Sequence, residues 1–427
     1  MIIGIIGGSG LDNPDLLEDY NEFTLETPYG LPSSSIITGR IADVEVAIIS
    51  RHGKKHTITP TNVNNRANIY ALGKLGCKKI ISTSAVGSLK EGIKPGDFVI
   101  PDQLIDFTKF RKSSFHDNFE QGIVHASLAD PFSEDLRKRI IEEANNLGYS
   151  IHPIGTTITI EGPRFSTRAE SNLFRQWADV IGMTTAPEAS LCREAGIEYA
   201  VIAMATDYDC WKEGEQDVSM EMVFARMKDN AERVKKLVVK VIDKFSQEAI
   251  VLFYKKEIKE AIRTVPNFPK PGIMFRDITT LMGNPEAMSK VMEIFYNRYK
   301  DKQIDVVAGI ESRGFIFGAI LAEKLKAKFV PVRKPGKLPF ETVREEYSLE
   351  YGKDAIEIHK DAIKYKDNVL IIDDLIATGG TCSAAARLIE KLGGKVVECG
   401  FVIELPALKG REKLNYPAFS IVDFEGE

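Results

Sequence analysis

Two acidic pairs stand where buried strands run out. Ala205-Thr206-Asp207-Tyr208-Asp209 closes a very apolar stretch. Acids at i and i+2 at the carboxyl end of a strand point in roughly the same direction, which suits two adjacent polar edges of a ring. Val369-Leu370-Ile371-Ile372-Asp373-Asp374 is followed by Leu375-Ile376-Ala377-Thr378-Gly379-Gly380-Thr381. Such a loop of small, hydroxyl-bearing residues presents N–H groups to a phosphate at a helix N-terminus. Its two acids can bind sugar hydroxyls or order a magnesium shell. Three more segments offer donors to an anion at strand ends: Gly7-Gly8-Ser9-Gly10, Arg51-His52-Gly53 and Ser84-Ala85-Val86-Gly87-Ser88. Arginine brings a planar fork and histidine a further donor. The glycine loop lacks both the dinucleotide spacing and the lysine of a Walker loop. Taken singly, each segment reads equally as a tight turn or a solvated pair; together they point to an oxyanion.

The elements that must position these groups alternate short β-branched strands with helical patterns, the signature of α/β layers. Lys79–Thr83, Val99-Ile100, Gly155–Ile160 and Tyr199–Ala203 read as buried strands, and Ser84–Ser88 as a loop after the first of them. Ser133–Leu147 reads as a helix capped by Ser133, with Leu136, Ile140, Ala144 and Leu147 on one face. A longer amphipathic helix runs from Met220 to Phe245, and a boundary is expected near residue 248, giving domains 1–248 and 249–427. The βαβ alternation then restarts with strand Asp305–Ile310, helix Phe315–Lys326 and strand Phe329–Val332, and continues with strand Val369–Ile372, helix Thr381–Leu392 and strand Val396–Ile403. The charged, turn-rich stretch Arg333–Lys366 reads as a long lid loop.

Composition narrows the class. A length of 427 residues with 44% hydrophobic and 27% charged residues suits a globular protein of two or three domains. A net charge of −5 gives no electrostatic case for nucleic acid or a membrane surface as partner. No apolar run approaches the ~20 residues that span a bilayer. The opening Met1–Ile6 lacks basic residues and soon meets glycines, so it reads as a first strand and not a leader. The five cysteines form no CxxC pair, which argues against a zinc site and a disulfide framework. A cytoplasmic protein is expected.

The first half resembles methylthioadenosine phosphorylase in Gly4–Leu11, Arg51-His52-Gly53, Thr159–Ser166, Met183-Thr184-Thr185 and Ala203–Trp211. The resemblance implies a purine nucleoside phosphorylase-like mixed sheet flanked by helices, and a trimer. It assigns Ser9, Arg51, His52, Ser84, the Ala85 amide and Thr184 to inorganic phosphate. It places Met183 against the ribose and gives Phe165, Ser166 and Ile181 to the nucleoside. Asp207 and Asp209 face the adenine edge, with Asp207 stabilising or protonating N7. Met220 and Val223 would line the methylthio pocket, and His125 would approach it from a neighbouring subunit.

The second half resembles adenine phosphoribosyltransferase in Asn267–Thr279, Glu311-Ser312-Arg313-Gly314-Phe315, Arg333–Pro339, Tyr347–Gly352 and the acidic loop 369–381. This implies a type I phosphoribosyltransferase fold, with a parallel sheet and a lid loop. Ala377, Thr378, Gly379, Gly380 and Thr381 would cradle the 5′-phosphate of phosphoribosyl pyrophosphate (PRPP), and Asp373 and Asp374 the ribose hydroxyls. Arg313, Arg333 and Lys337 would serve the pyrophosphate. Phe275 would stack on adenine while the Arg276 backbone reads its edge, and Glu350 and Tyr351 would sit on the lid, Glu350 handling the proton lost from adenine. Mg²⁺ would be held through pyrophosphate and water and not by protein ligands. Together the two resemblances imply purine salvage: methylthioadenosine and phosphate give methylthioribose 1-phosphate and adenine, and adenine and PRPP give AMP and pyrophosphate. The alternative is an active phosphorylase with a C-terminal domain that senses PRPP or AMP without catalysis. Trimeric phosphorylase contacts combined with dimeric transferase contacts would close as a hexamer of D3 symmetry.

Overall fold

Strand Cys77–Ser88 organises the N-terminal part of the chain, with Ile80, Ile81 and Val86 buried. Strand Ile2–Gly7 lies parallel along the first half of one edge, from Cys77 to Ser82. Strand Val180–Gly182 takes over that edge in antiparallel sense at Gly87 and Ser88. Strand Glu198–Asp207 runs parallel along the other edge, pairing Glu198 with Lys79 and Asp207 with Gly87. Further strands extend this to an eleven-stranded mixed sheet. Parallel strands covered on both faces read as continuous apolar runs, which is why they were visible in the sequence. The computed structural model describes residues 1–7, 17–120, 122–214, 220–349 and 352–425. Two compact units divide the chain, Met1–Gln247 and Glu248–Glu427.

Helix Glu134–Asn146 forms where expected, the Ser133 hydroxyl accepting from the Leu136 amide at 3.3 Å and Leu136, Ile140 and Ala144 buried. Two expectations are corrected. Ser84–Ser88 is strand and not loop: the Glu198–Asp207 strand continues past Thr83 along one edge and Val180–Gly182 joins the other at Gly87 and Ser88, so small residues there stay in the ladder. The helix that starts at Met220 does not stop at Phe245 but runs to Ala261. Ser246-Gln247-Glu248-Ala249 contains neither glycine nor proline, so nothing in it ends a helix. Val234, Leu237, Val238, Val241 and Phe245 of this helix are buried in the core of the first unit, and Ile258 in that of the second.

The second unit is built on five parallel strands in the order Lys328–Val332, Val306–Ile310, Asn368–Ile376, Lys395–Glu404 and Ala418–Asp423. The central strand is longer than expected and includes both acids, Asp373 opposite Phe401 and Leu375 opposite Ile403. The stretch read as a lid loop is a β-hairpin, Thr342–Leu349 paired with Gly352–His359. Its inward side chains, Tyr347, Ile356 and Ile358, are buried with residues of helix Gly380–Lys391. Alternation of period two was present there but was masked by the charged residues between. Among the described residues, no helix is long and apolar enough to cross a membrane.

Candidate active sites

In the first unit a cavity of about 180 Å³ gathers most of the residues singled out from the sequence. At one end stand Arg51, His52, Ser84, Ala85 and Thr184. Thr184 precedes helix Thr185–Glu194 without capping it, and its hydroxyl lies 3.0 Å from that of Ser84. In the first turn of that helix the Ala186 amide donates to the Thr159 hydroxyl at 3.1 Å and Pro187 has no N–H, so the groups that face the cavity here are the Thr184 and Ser84 hydroxyls. Arg51 is buried, and its guanidinium is held on three sides. Its Nε and Nη2 bond the Glu188 carboxylate, Nη2 also reaches the Ser82 hydroxyl, and Nη1 donates to the Thr83 carbonyl at 2.9 Å. Burial opposes the charge of Arg51, but the Glu188 carboxylate outweighs it and holds the guanidinium above its ordinary value.

Glu188 was missed by sequence reasoning. It is 1% exposed and also accepts from the Ser82 and Tyr199 hydroxyls at 2.9 and 2.7 Å. No sequence signal separates a buried acid from a solvated one in the first turn of a helix. Replacing Glu188 by glutamine leaves the buried Arg51 charge uncompensated, and is expected to lower the unfolding free energy by about 3 kcal/mol in urea melts. Breaking the exposed Lys54–Glu22 pair, whose side chains are 43% and 42% exposed, should change it by less than about 1 kcal/mol.

His52 departs from its expected role as a donor. Its Nδ1 lies 2.9 Å from the Ile58 carbonyl oxygen, so the ring's proton is spent there. Burial, followed by the Arg51 charge, depresses its pKa to about 4. His56, whose ring centroid is 5.0 Å from that of His52, also lines the cavity and was not foreseen.

At the other end stand Asp207 and Asp209, each 6% exposed. Asp207 lies 2.7 Å from both the Thr206 hydroxyl and the Asp209 amide. Burial pushes both carboxyls above the usual carboxylate range. Asp209 adopts a left-handed backbone (φ +52°), and its Oδ2 is buried with no hydrogen-bond partner. The acids approach the central strand closely because residue 87 is glycine: a Cβ there would stand 2.9 Å from Asp207 Oδ1. Phe165, Ser166, Ile181 and Met183 form the walls, as do Pro60, Met204, Ala231 and Val234, which the sequence did not single out. Arg111 fixes Met183 by donating to its carbonyl at 2.7 Å and to Glu161 at 3.0 Å. His125 is exposed, edge-on to Phe119, and does not line the cavity. Ser9 and the side chains of Met220 and Val223 lie outside the described residues. The cavity thus brings Arg51, Ser84 and Thr184 together with two buried acids and apolar walls.

In the second unit, residues 377–379 join the central strand to helix Gly380–Lys391. Gly379 has φ +76°, and a Cβ there would overlap the Gly410 carbonyl oxygen. Asp374 is buried and accepts from Arg313 Nε, a pairing the sequence did not suggest. Burial, and then the adjoining Asp374, pushes the Asp373 carboxyl well above its ordinary value. Arg333 leans on Glu311 at 3.3 Å and donates to the carbonyl of the exposed Lys337 at 3.1 Å. Phe275 meets Phe268 edge-on, with centroids 5.1 Å apart. Arg276 turns its side chain to Thr264 and the Phe424 ring, which leaves its backbone as its means of reading a ligand. Glu350 and Tyr351 lie outside the described residues.

The sheet and the paired anion and acid ends of the first cavity define a nucleoside-phosphorylase type of enzyme, and the chain belongs to the phosphorylase superfamily, which it matches over residues 2–243. Residues 277–426 match the phosphoribosyl transferase domain. Among curated relatives, the S-methyl-5′-thioadenosine phosphorylase of Danio rerio is 51% identical over 249 residues, covering 57% of this chain and 89% of the relative. That of Hyperthermus butylicus is 53% identical over 249 residues, covering 58% and 89%. A solved methylthioadenosine phosphorylase from Schistosoma mansoni in complex with adenine aligns with a TM-score of 0.55 at 38% identity, covering 57% of this chain and 92% of that one.

Proposed function

We propose that the chain is a bifunctional purine salvage enzyme. Its first unit cleaves 5′-methylthioadenosine with phosphate to give 5-methylthioribose 1-phosphate and adenine. Its second transfers phosphoribosyl from PRPP to adenine, giving AMP and pyrophosphate. The observation that carries the first reading is the single cavity lined both by Arg51 and Thr184 and by the buried acids Asp207 and Asp209. Phosphate held at the first end attacks the anomeric carbon while the purine leaves, and Asp207 gives N7 the proton that the leaving group needs. The orphaned Asp209 Oδ2 accepts from the exocyclic amine. A 6-oxopurine would bring an acceptor to that acceptor, a mismatch of about 1–3 kcal/mol. The Asp209→Asn variant is accordingly expected to lower the ratio of methylthioadenosine to methylthioinosine turnover by about tenfold or more. An unchanged ratio removes Asp209 from the role. The exposed His125 would reach a nucleoside only from a second copy of the chain, in keeping with a trimeric phosphorylase.

For the second unit, support comes from the strand, acids and small-residue loop, with Arg313 beside Asp374 and Phe275 beside Phe268. The loop amides and Thr378 and Thr381 would take the 5′-phosphate, and Asp373 and Asp374 the ribose hydroxyls. Mg²⁺ carried in on the pyrophosphate would neutralise its charge, and Asp373 and Asp374 would accept hydrogen bonds from its water. The test is a single-pot assay with methylthioadenosine, phosphate, Mg²⁺ and PRPP, following adenine and AMP by chromatography. AMP that requires both co-substrates and disappears with a chelator supports both activities. Adenine accumulating without AMP would make the second unit a sensor of PRPP or AMP.

A further inference from the structure

His52 is pinned by Ile58 from two directions. Its Nδ1 stands 2.9 Å from the Ile58 carbonyl oxygen, and the Ile58 amide donates to the His52 carbonyl at 3.1 Å. A carbonyl oxygen has no proton to give, so the Nδ1–H donates and the tautomer is fixed. Nε2 is the ring nitrogen left for the cavity, and in the neutral ring it carries a lone pair. The charged groups around the ring keep it neutral. Arg51 repels a second proton, as does His56 whenever it is charged. Glu188, the acid that acts on the ring, already bonds Arg51, Ser82 and Tyr199. Arg51 has five N–H groups. Two go to Glu188 and one each to Ser82 and Thr83, which leaves a single one for an anion.

We propose that His52 receives the hydrogen bond at the phosphate corner instead of giving it. The site would then select a tetrahedral oxyanion that still carries a proton, such as hydrogen phosphate or hydrogen arsenate, over sulfate, which carries none. This rests on the phosphorolysis reading, since it needs phosphate at Arg51 and Thr184. The hydrogen phosphate dianion has one P–OH and three unprotonated oxygens. Its P–OH donates to His52 Nε2, leaving three oxygens for the Arg51 N–H, the Thr184 and Ser84 hydroxyl pair and attack on the sugar. Sulfate would set an oxygen lone pair against the lone pair of Nε2, unless the ring first took a proton from solvent.

Calorimetric titration of the full chain with sodium phosphate and with sodium sulfate tests this without relying on turnover. Over a unit rise from roughly pH 7.5, where hydrogen phosphate is the main form, phosphate affinity should hold within about twofold. Sulfate binding must take up one proton, so its affinity should fall about tenfold over the same unit. His52→Gln, whose amide can donate to an unprotonated oxygen and takes up no proton, should abolish the sulfate slope. Sulfate that matches phosphate with no dependence on pH overturns the proposal and leaves phosphorolysis standing. Failure of phosphate itself to bind overturns the phosphorolysis reading instead.

Discussion

Asp207→Asn is expected to lower kcat/KM for methylthioadenosine phosphorolysis by about 10²–10⁴-fold, the usual contribution of a positioned general acid. AMP formation from added adenine and PRPP, measured on the same preparation, should be unchanged. The variant should also be more stable at neutral pH. Burial raises the folded-state pKa of Asp207, so between the ordinary value and the raised one the native state holds a proton that the unfolded chain has released. Stability is therefore lost as pH rises through that window, and asparagine removes the loss. Urea melts at acidic and neutral pH should show the variant gaining on the wild type only as pH increases. Wild-type turnover should fall on the alkaline side of the same window. Full activity in the variant would remove Asp207 from proton transfer.

Gly379→Ala is expected to cost the second unit at least about 10²-fold in AMP formation, because displacement of a phosphate-holding loop by even about 1 Å has effects of that size. An L-residue at φ +76° is strained, and its Cβ would overlap the Gly410 carbonyl, so the loop must move. Phosphorolysis by the same variant should stay within experimental error of the wild type. PRPP should also cease to raise the second unit's melting temperature, a ligand readout independent of turnover. A variant that still makes AMP at the normal rate would mean the loop does not hold the 5′-phosphate.

Much of the chemistry was legible because strands and their ends leave local marks. The apolar run ending in Asp207, the acids after Ile372 and the Ser133 cap each depend on neighbours in sequence. What the sequence hid depends on neighbours in space. Glu188 lies 137 residues from Arg51 and looks like any acid in a first helical turn. The strand character of Ser84–Ser88 comes from the Asp207 strand along one edge and Val180–Gly182 at its end, and not from its small residues. The donor–acceptor sense of His52 is set by a backbone carbonyl six residues on, across a turn that composition does not specify. The hairpin at 342–359 failed to register as strands because Glu345 and its neighbours carry charge. Glu345 in fact spends that charge on Arg387 and Lys391 of the helix beneath it.

The central position of strand Cys77–Ser88 bears on how the first unit comes apart. Binding groups usually sit on surface loops, which open by local fluctuations well below the free energy of global unfolding. Here Ser84 and Ala85 belong to the central strand, paired with Ala203 and Met204 of the strand that ends in Asp207. Amide hydrogens along these two strands should be among the slowest in the unit to exchange with solvent. On warming, the phosphate corner and its acids would then be lost in the same cooperative step as the sheet, with no earlier phase in which the fold persists and the site has melted.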